Sequence, residues 1–304
     1  MNKKELAYIK KNFSDDISNK TVIITGGNSG IGFESAKYLC YLNANVIIAV
    51  RSLQRGNEAI KKIKDEIPQA KISLMELDMS HENSIKEFVS NIVKNKIDVD
   101  IFYHNAGVYR LPFEIVEDKD IITGTNYYGE IILTSLLLPY LNSLKHEVKM
   151  IFTSSLAAMW TSYKYIDLLP NEKRSKIKRY SNSKLLDAYL FKYLLDNEHS
   201  NIKYLLVHPG VANTGLIKKA YKNKVFLALM NFAMLFISNP IWKSSLSCLM
   251  AIKEETPAGT FYGPNHFFKF LGYPKKCKFL NKKYVKLDEI INESEKIVGY
   301  KLIA

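Results

Sequence analysis

Short apolar runs rich in β-branched residues alternate with longer helix-like segments over the first two thirds of the chain. Such runs are typical of strands that helices cover on both faces of a parallel sheet. The sequence predicts strands at Thr21–Thr25, Asn45–Val50, Lys71–Glu76, Val99–Tyr103, Val148–Thr153 and Ile202–Val207. Helical patterns separate each consecutive pair, at Ile31–Leu42, Ser52–Ile67, His81–Lys94, Asp120–Leu144 and Lys178–Asn197. This alternation indicates an α/β fold with a doubly wound parallel sheet, whose ligand lies beyond the carboxyl ends of the strands.

No fixed-period repeat and no Pro-, Gly- or Ser-rich linker divides the sequence, which indicates one continuous domain. We expect a tail at 1–19, a main domain at 20–262 and a C-terminal extension at 263–304. The main domain includes a segment at 211–242 that we interpret as a lid. Residues 262–265 (YGPN) and 272–274 (GYP) are expected to form a turn-rich cover at the ligand side or at a subunit contact.

The composition is that of a folded protein, since 47% of the 304 residues are hydrophobic and 24% are charged. The formal charge of +13 raises nucleic acid, an anionic membrane or an anionic ligand as partners. Only five of the 43 basic residues are Arg, the better residue for recognising phosphate or guanine. The Lys residues are spread over helices and tails without a recognised motif. Nucleic acid is therefore not expected as a partner, and most of the charge is interpreted as solvated surface.

Three widely separated cysteines, Cys40, Cys248 and Cys277, offer neither a disulfide framework nor a CxxC metal site. The Lys-rich first 20 residues lack the apolar run of a signal peptide. We therefore expect a cytoplasmic protein. The apolar stretch 225–242 barely reaches spanning length and contains Asn and Pro, so a buried or lid helix is favoured over a membrane span. A peripheral membrane contact through this stretch remains the alternative.

A glycine-rich turn (TGGNSGIG, 25–32) follows the first predicted strand, and the next helix begins on its last residues. Glycines let the backbone approach a pyrophosphate, and the N–H groups and dipole of a helix N-terminus favour negative charge. Gly26, Gly30 and Gly32 are the candidates for this role. The position between strand and helix favours a dinucleotide site over a structural turn. Other residues of the turn expected in the site are Asn28, Ser29 and Ile31.

The second predicted strand ends in AVRS, without an acidic residue. A cofactor with a free ribose 2′-hydroxyl would require Asp or Glu here. Arg51 can instead pair with a 2′-phosphate, with Ser52 and Arg55 as further donors. The sequence therefore favours NADP(H) over NAD(H). After the third strand, Asp78 and Met79 are expected along the adenine, although Asp78 also suits the N-terminal cap of the next helix.

Tyr180 and Lys184 lie four residues apart at the start of a predicted helix, so both side chains share one face. A phenol has a pKa of about 10, and a nearby ammonium favours its ionised form. Tyr180 could then exchange a proton with an alcohol oxygen. In a chain with 19 Tyr the spacing carries little information without its context.

That context consists of motifs at other strand ends. Ser154 and Ser155 follow the fifth strand, where a hydroxyl would face the cleft, and Asn126 stands inside a predicted helix, an unfavourable place for Asn unless its side chain has a task. Further motifs after the fourth and sixth strands contain Asn105, Ala106, Gly107, Pro209, Gly210, Val211 and Thr214.

In this order, over residues 20 to 215, the motifs TGGNSGIG, HNAG, TSS, YSNSK and HPGVANT resemble the short-chain dehydrogenase/reductase family, and in particular its retinol-dehydrogenase-like branch. The resemblance implies a Rossmann fold and an oxidoreductase that moves a hydride between a nicotinamide cofactor and an alcohol or carbonyl substrate, without a metal. It implies that the motif residues after the strands contact the cofactor. It also makes a homodimer or homotetramer plausible.

The resemblance also implies individual roles for the catalytic set. Tyr180 would be the acid in reduction and the base in oxidation, and Ser155 would bind the substrate oxygen. Lys184 would lower the pKa of Tyr180 and hold the nicotinamide ribose. Asn126 would hold a water that links Lys184 to solvent. His104 replaces a common Asn before Asn105, and we interpret it as a packed residue, with a contact to the cofactor as the alternative.

Apolar residues after Gly210 predict an apolar alcohol or carbonyl substrate, such as a retinoid, a steroid or a lipid. They are Leu216, Phe226, Leu229, Met230, Phe232, Met234, Leu235 and Phe236. Ordinary helix core is the alternative interpretation of half of these. Alternative functions are reduction of a C=C bond, a nucleotide-sensing protein without turnover, and a peripheral membrane protein. Retention of the Tyr, Lys and Ser positions argues against the loss of catalysis.

Overall fold

The computed structural model describes residues 3–13, 17–197, 201–210, 238–253, 255–266, 271–277 and 284–302. Within these ranges an eight-stranded sheet lies between two layers of helices, which confirms the predicted doubly wound fold. In chain order the strands are β1 (Thr21–Thr25), β2 (Asn45–Val50), β3 (Ile72–Glu76), β4 (Ile101–His104), β5 (Ile115–Val116), β6 (Lys119–Asp120), β7 (Val148–Thr153), β8 (Ile202–Val207), β9 (Phe261–His266) and β10 (Leu271–Cys277). Strands β5 and β6 form a small separate hairpin.

The strand order of the main sheet is β10-β9-β8-β7-β4-β1-β2-β3, and among the described strands of this sheet only the β9–β10 pair is antiparallel. The chain runs outward from β1 to β3 and then returns to the other side of β1 with β4. The loops after β1 and β4 therefore leave the sheet in different directions, which opens a crevice at their carboxyl ends.

Helices pack on both faces because alternate residues of each strand point to opposite sides. In β1, Val22 and Ile24 belong to one buried cluster, whereas Ile23 belongs to the other. The helices are α1 (Lys3–Phe13), α2 (Gly30–Tyr41), α3 (Leu53–Glu66), α4 (Glu82–Lys94), α5 (Ile121–Thr123), α6 (Gly129–Ser143), α7 (Lys176–Asp196), α8 (Ile241–Ile252) and α9 (Leu287–Val298). Residues of α1, α2, α3 and α8 line the first cluster, and residues of α4, α6, α7 and α9 line the second.

The helix predicted at 120–144 is interrupted in the structure. A π-helical turn, Gly124–Tyr128, separates α5 from α6. Gly129, the first residue of α6, packs so closely on the loop between β3 and α4 that a Cβ would lie 2.2 Å from the carbonyl oxygen of Met79. The turn contains Asn126, and π-helical turns inside α-helices occur frequently at functional sites.

The helix α1 lies within the segment 1–19, for which the sequence predicts only a tail. Ile9 and Phe13 of this helix are fully buried against the sheet, and the ring of Tyr8 stacks on that of Tyr273 at 4.6 Å. The four-residue spacing of the buried positions was a usable signal, although the Lys residues around them obscured it.

The turn-rich cover predicted at 262–265 and 272–274 is wrong, because these residues lie in β9 and β10. Two prolines made strands look unfavourable. Pro274 lies on the edge strand β10, and Pro264 lies beyond the two residues of β9 that pair with β8. Both prolines therefore occupy sites where a missing backbone N–H costs little.

The apolar stretch 225–242 lies mostly outside the described residues, as do the apolar positions from Leu216 to Phe236. Its end is described: Asn239 is buried and exchanges two hydrogen bonds with the backbone of Gly272, each 3.1 Å long. Over the part of the chain that the structure covers, no helix combines the length and apolar character needed to cross a membrane.

Candidate active site

The crevice between β1 and β4 is held together by side chains from both strand ends. The hydroxyl of Thr25 accepts hydrogen bonds from the backbone N–H groups of Asn105 (3.0 Å) and Ala106 (2.9 Å). The side-chain amide of Asn105 donates to the carbonyl of Thr25 at 2.9 Å. These three bonds fix the two motifs, distant in sequence, against each other at the point where the strand order reverses.

The glycine-rich turn has no room for side chains at its key positions. Gly26 and Gly30 have φ angles of +70° and +59°, which favour glycine. A Cβ on Gly32 would lie 2.5 Å from Nδ2 of Asn105 and 2.6 Å from the carbonyl oxygen of Gly26. Ser29 precedes α2 without capping it through its side chain. A helix N-terminus without a side-chain cap, next to a close-packed glycine turn, is suited to bind the phosphates of a dinucleotide.

One cavity of about 510 Å³ joins this turn to the Tyr180 region. All the predicted cofactor contacts in the described ranges line it, from Gly26 to Gly210, together with Ser155. Val211 and Thr214 lie outside the described residues. Asn126 does not line the cavity and lies behind it.

At the turn end of the cavity, Arg51 follows β2 with its side chain 69% exposed. Its Nε lies 3.8 Å from a carboxylate oxygen of Asp78, a weak contact that leaves the guanidinium accessible. Ser52 caps α3 by accepting from the N–H of Arg55. The alternative role of Asp78 as a helix cap is wrong: His81 is the N-cap of α4, and Asp78 binds Ser80 instead.

At the other end, Tyr180 is half-buried in the first turns of α7, and its ring meets that of Tyr109 edge-on at 4.6 Å. Ser155 is the N-cap of a 3₁₀ turn, and its hydroxyl accepts a hydrogen bond from the N–H of Ala157 at 3.2 Å. The segment between Ser155 and Tyr180 is fastened to α7 by Asn182, whose amide forms two hydrogen bonds with the backbone of Asp167 (3.0 and 2.8 Å).

Lys184 is buried below Tyr180 and has two partners. Its ammonium donates to the carbonyl of Thr153 at 3.3 Å and to the carboxylate of Asp187 at 2.6 Å. Burial lowers the pKa of Lys184, but the negative charge of Asp187 and its hydrogen bond outweigh this effect and raise that pKa above its usual value. The side chain is therefore a fixed cation at neutral pH.

Asn126 uses its whole side chain to join the loop after β4 to α7. Its Oδ1 accepts from the N–H of Val108 at 2.7 Å, and its Nδ2 donates to the carbonyl of Val108 and the hydroxyl of Ser183, both at 3.0 Å. Ser183 in turn donates to the carbonyl of Tyr180 at 2.9 Å. Asn126 thus supports the backbone that carries Tyr180, and its part in a proton relay stays a prediction.

His104 is fully buried at the end of β4, with its ring stacked on Phe152 at 4.4 Å. Burial lowers the pKa of His104 to about 3, so its ring is neutral. It does not line the cavity. This arrangement agrees with the interpretation as a packed residue.

Sequence reasoning missed several residues around the site. Tyr109 and Trp160 line the cavity near Tyr180, and Asp187 and Glu130 lie behind Lys184. Tyr109 and Trp160 carried no signal, because aromatic residues are common in this chain. Asp187 could have been noticed, since an acidic residue three positions after Lys184 lies on the same face of the helix.

The fold and this cavity define an α/β oxidoreductase that binds a nicotinamide dinucleotide. The chain belongs to the short-chain dehydrogenase family, since the family model described as "short chain dehydrogenase" matches residues 20–225. Mouse (Mus musculus) retinol dehydrogenase 13 is 34% identical over 245 residues, covering 79% of this chain and 73% of that protein. These matches confirm the retinol-dehydrogenase-like branch.

Other relatives carry different names. The chloroplastic short-chain dehydrogenase TIC 32 B of Brassica napus is 33% identical over 260 residues, covering 80% of this chain and 78% of the relative. Human (Homo sapiens) polyprenol dehydrogenase is 32% identical over 209 residues, with coverage of 66% and 63%.

Solved structures share the fold. A protein from Mycobacterium paratuberculosis superposes with a TM-score of 0.75 at 24% identity, covering 97% of this chain and 98% of that chain. A short-chain dehydrogenase from Shigella flexneri, complexed with NADP, gives a TM-score of 0.54 at 22% identity, covering 68% and 83%.

Proposed function

We propose that the protein is an NADP-dependent oxidoreductase that interconverts an alcohol and a carbonyl on an apolar substrate, with Tyr180 as the acid and base. One observation carries the proposal: a single cavity connects the glycine-rich turn and Arg51 to Ser155, Tyr180 and Lys184. A dinucleotide needs a site of this kind, with an anion-binding end and a proton-transfer end in one space.

The nicotinamide ring, when bound, supplies or accepts the hydride. The chain's own residues would handle the substrate oxygen. The Tyr180 hydroxyl donates its proton to that oxygen in reduction and takes it back in oxidation. The Ser155 hydroxyl donates a hydrogen bond to the same oxygen, and Asp187 and Thr153 hold the Lys184 ammonium in place.

The preference for NADP(H) rests on Arg51. It stands at the end of β2, where an NAD-specific site would place an acid, and its side chain is accessible at the cavity edge. Arg55, one turn further on, lines the same cavity. Two guanidinium groups on this edge match the charge and geometry of a 2′-phosphate.

The side chains at the edge of the cavity near Tyr180, called the rim below, favour an apolar substrate. The exposed side chains of Trp160 (65%) and Met159 (55%) stand on the 3₁₀ turn after Ser155, and Tyr109 covers the ring of Tyr180. Such a rim offers contact area and few polar partners, which suits a lipid-like molecule better than a small polar metabolite. The names of two relatives, a retinol and a polyprenol dehydrogenase, point the same way.

Two measurements test the proposal. Thermal unfolding with NADPH and with NADH should show the larger stabilisation by NADPH. A panel of retinoids, steroids and long-chain aldehydes, with small sugars and keto acids as controls, should then give turnover with the apolar members, and product analysis should show a carbonyl–alcohol change rather than a saturated C=C bond. Equal stabilisation by both cofactors would remove the NADP preference. Turnover confined to sugars or keto acids would remove the apolar substrate.

A cytoplasmic location belongs to the same proposal. Cys40 and Cys248 are buried free thiols and Cys277 is a partly buried one, so the three form no disulfide. A reducing compartment suits such a set.

A further inference from the structure

Two carboxyl groups, those of Asp187 and Glu130, lie near Lys184 but do not line the cavity. Asp187 binds the Lys184 ammonium at 2.6 Å, and the two side chains are 3% and 6% exposed. Glu130, on α6, is 2% exposed, and it interacts electrostatically with Lys184 and Asp187. Three ionisable side chains from two helices therefore share one buried space, and neither carboxyl group lines the cavity.

The hydrogen bonds around these carboxyl groups are incomplete. Oε2 of Glu130 and Oδ1 of Asp187 are buried and have no hydrogen-bond partner among the described residues. Within the same part of the chain, Lys184 is the only cation paired with either of them. If both carboxyl groups were ionised, the three buried side chains would carry a net negative charge, which is strongly unfavourable in a protein interior. If one of the two carboxyl groups binds a proton, its partner and Lys184 balance each other and the three side chains together are neutral.

Among the described residues, the groups that act on the two carboxyl groups include no cation besides Lys184. The titratable residues that act on the cluster are Tyr180 above Lys184, and Tyr127, whose hydroxyl is bound to Ser294 of α9. Burial, together with the charge of Asp187, raises the pKa of Glu130 well above its usual value. Burial also raises the pKa of Asp187 to about 6, against the lowering effect of Lys184.

We infer that Asp187 and Glu130 are a proton-sharing carboxyl pair that positions Lys184 for the reaction, with the ionised Asp187 holding the ammonium and Glu130 carrying the proton. This inference rests on the proposed function, because it gives the pair a role in the step that Tyr180 performs. Both are positioning residues, since they act through Lys184. The pair would hold the Lys184 ammonium in one place and keep it charged over a wider pH range.

Asp187→Asn removes the charge that holds Lys184 and keeps the shape of the side chain. We expect kcat to fall on the order of 100-fold. We also expect the loss of activity at high pH to begin at lower pH, because an ammonium without its carboxylate loses its proton more easily. The matched control is Asp196→Asn, which breaks the exposed pair of Lys192 and Asp196 on the same helix and should leave both quantities unchanged. An unaltered pH profile in Asp187→Asn overturns the inference.

Glu130→Gln tests the shared proton on the protein without cofactor or substrate. A carboxyl group whose pKa is raised on folding keeps its proton when the unfolded chain has lost it. The contribution of the protonated Glu130 to the unfolding free energy of the wild type should therefore fall as the pH rises from about 4, where a free Glu titrates, through its raised pKa. In Glu130→Gln this fall should be smaller, because the amide has no proton to lose. Equal pH dependence in wild type and variant overturns the shared proton.

The two experiments separate this inference from the proposed function. If the wild type turns over no alcohol or carbonyl, the proposed function fails, and the positioning role fails with it. The unfolding measurement still decides whether the carboxyl pair shares a proton. If the wild type is active and Asp187→Asn keeps its rate and pH profile, the proposed function stands and the positioning role is overturned.

Discussion

The charged groups at the two ends of the cavity differ in their exposure to solvent. At the glycine-rich end, backbone N–H groups and the exposed Arg51 face the space where phosphates would lie. At the Tyr180 end, Lys184, Asp187 and Glu130 are almost completely buried. The first end is suited to an anion that arrives from solvent, whereas the ionisable groups of the second end are shielded from solvent by protein.

The difference shows where a charge has a strong effect. Solvent screens an exposed charge, and pairs between exposed side chains contribute about 0 to 1 kcal/mol. In the interior the effective dielectric constant is lower, so each charge changes the protonation of its neighbours. Substitutions at the buried end should therefore change rate and stability strongly, and those at the exposed end should mainly change selectivity.

The largest effect is expected for Tyr180→Phe, which removes the transferable proton and nothing else from the buried end. We expect kcat to fall by about a thousandfold or more. Binding of NADPH should persist, because the phosphates contact the other end. Stopped-flow turnover and NADPH fluorescence measure the two quantities. A variant with near-native activity would show that another group is the acid.

Arg179→Met tests the stability of the buried end. The Arg179 guanidinium pairs with Asp120 and donates to the carbonyl of Leu111 at 2.8 Å, and both charged side chains are buried. Loss of the cation leaves Asp120 buried with one weak backbone donor, Thr123. We expect a loss of about 3 to 5 kcal/mol in the free energy of unfolding.

The control for Arg179→Met is the exposed pair on the same helix. Lys192→Met breaks the contact with Asp196, where both side chains are about one-third or more exposed. Its loss should stay below about 0.5 kcal/mol. Urea unfolding of both variants compares a buried with an exposed pair. Similar losses would contradict the contrast between the two ends.

Gly32→Ala tests the backbone at the exposed end. The new Cβ would meet Asn105 and the carbonyl of Gly26, so the turn must shift. Overpacking of this kind costs about 1 to 3 kcal/mol, and we expect cofactor Kd to rise by about 10- to 100-fold. Gly124→Ala is the control, since its Cβ would meet only Lys119 at 3.4 Å. Calorimetric titration with NADPH measures both.

The smallest effect is expected for Arg51→Asp, because this side chain is exposed. An acid at this position accepts from a ribose 2′-hydroxyl and repels a 2′-phosphate. We expect the ratio of kcat/KM for NADPH over NADH to fall by about tenfold or more, with little change in stability. An unchanged ratio would mean that Arg51 does not contact the phosphate.

Much of the fold could be predicted because its signals are local. The runs at Thr21–Thr25 and Asn45–Val50 are strands with the predicted bounds, since a short β-branched run between turn residues is typical of a buried strand. The strands β9 and β10 were missed, because their prolines are tolerated only at edge positions that the sequence does not reveal. The cavity lining was predicted because motifs at strand ends converge whenever the sheet is parallel.

The sequence by itself determined the alternation of strands and helices, the glycine-rich turn and the spacing of Tyr180 and Lys184, because each depends on residues close together in the chain. Only the tertiary structure decided that Glu130 lies near Lys184, that Asn126 supports the backbone of Tyr180 through Ser183, and that Asn105 bonds to Thr25. These contacts join residues some 50 to 80 positions apart, and burial strengthens the charged contact. Neither the distance between such residues nor the loss of water around them is encoded in a local pattern.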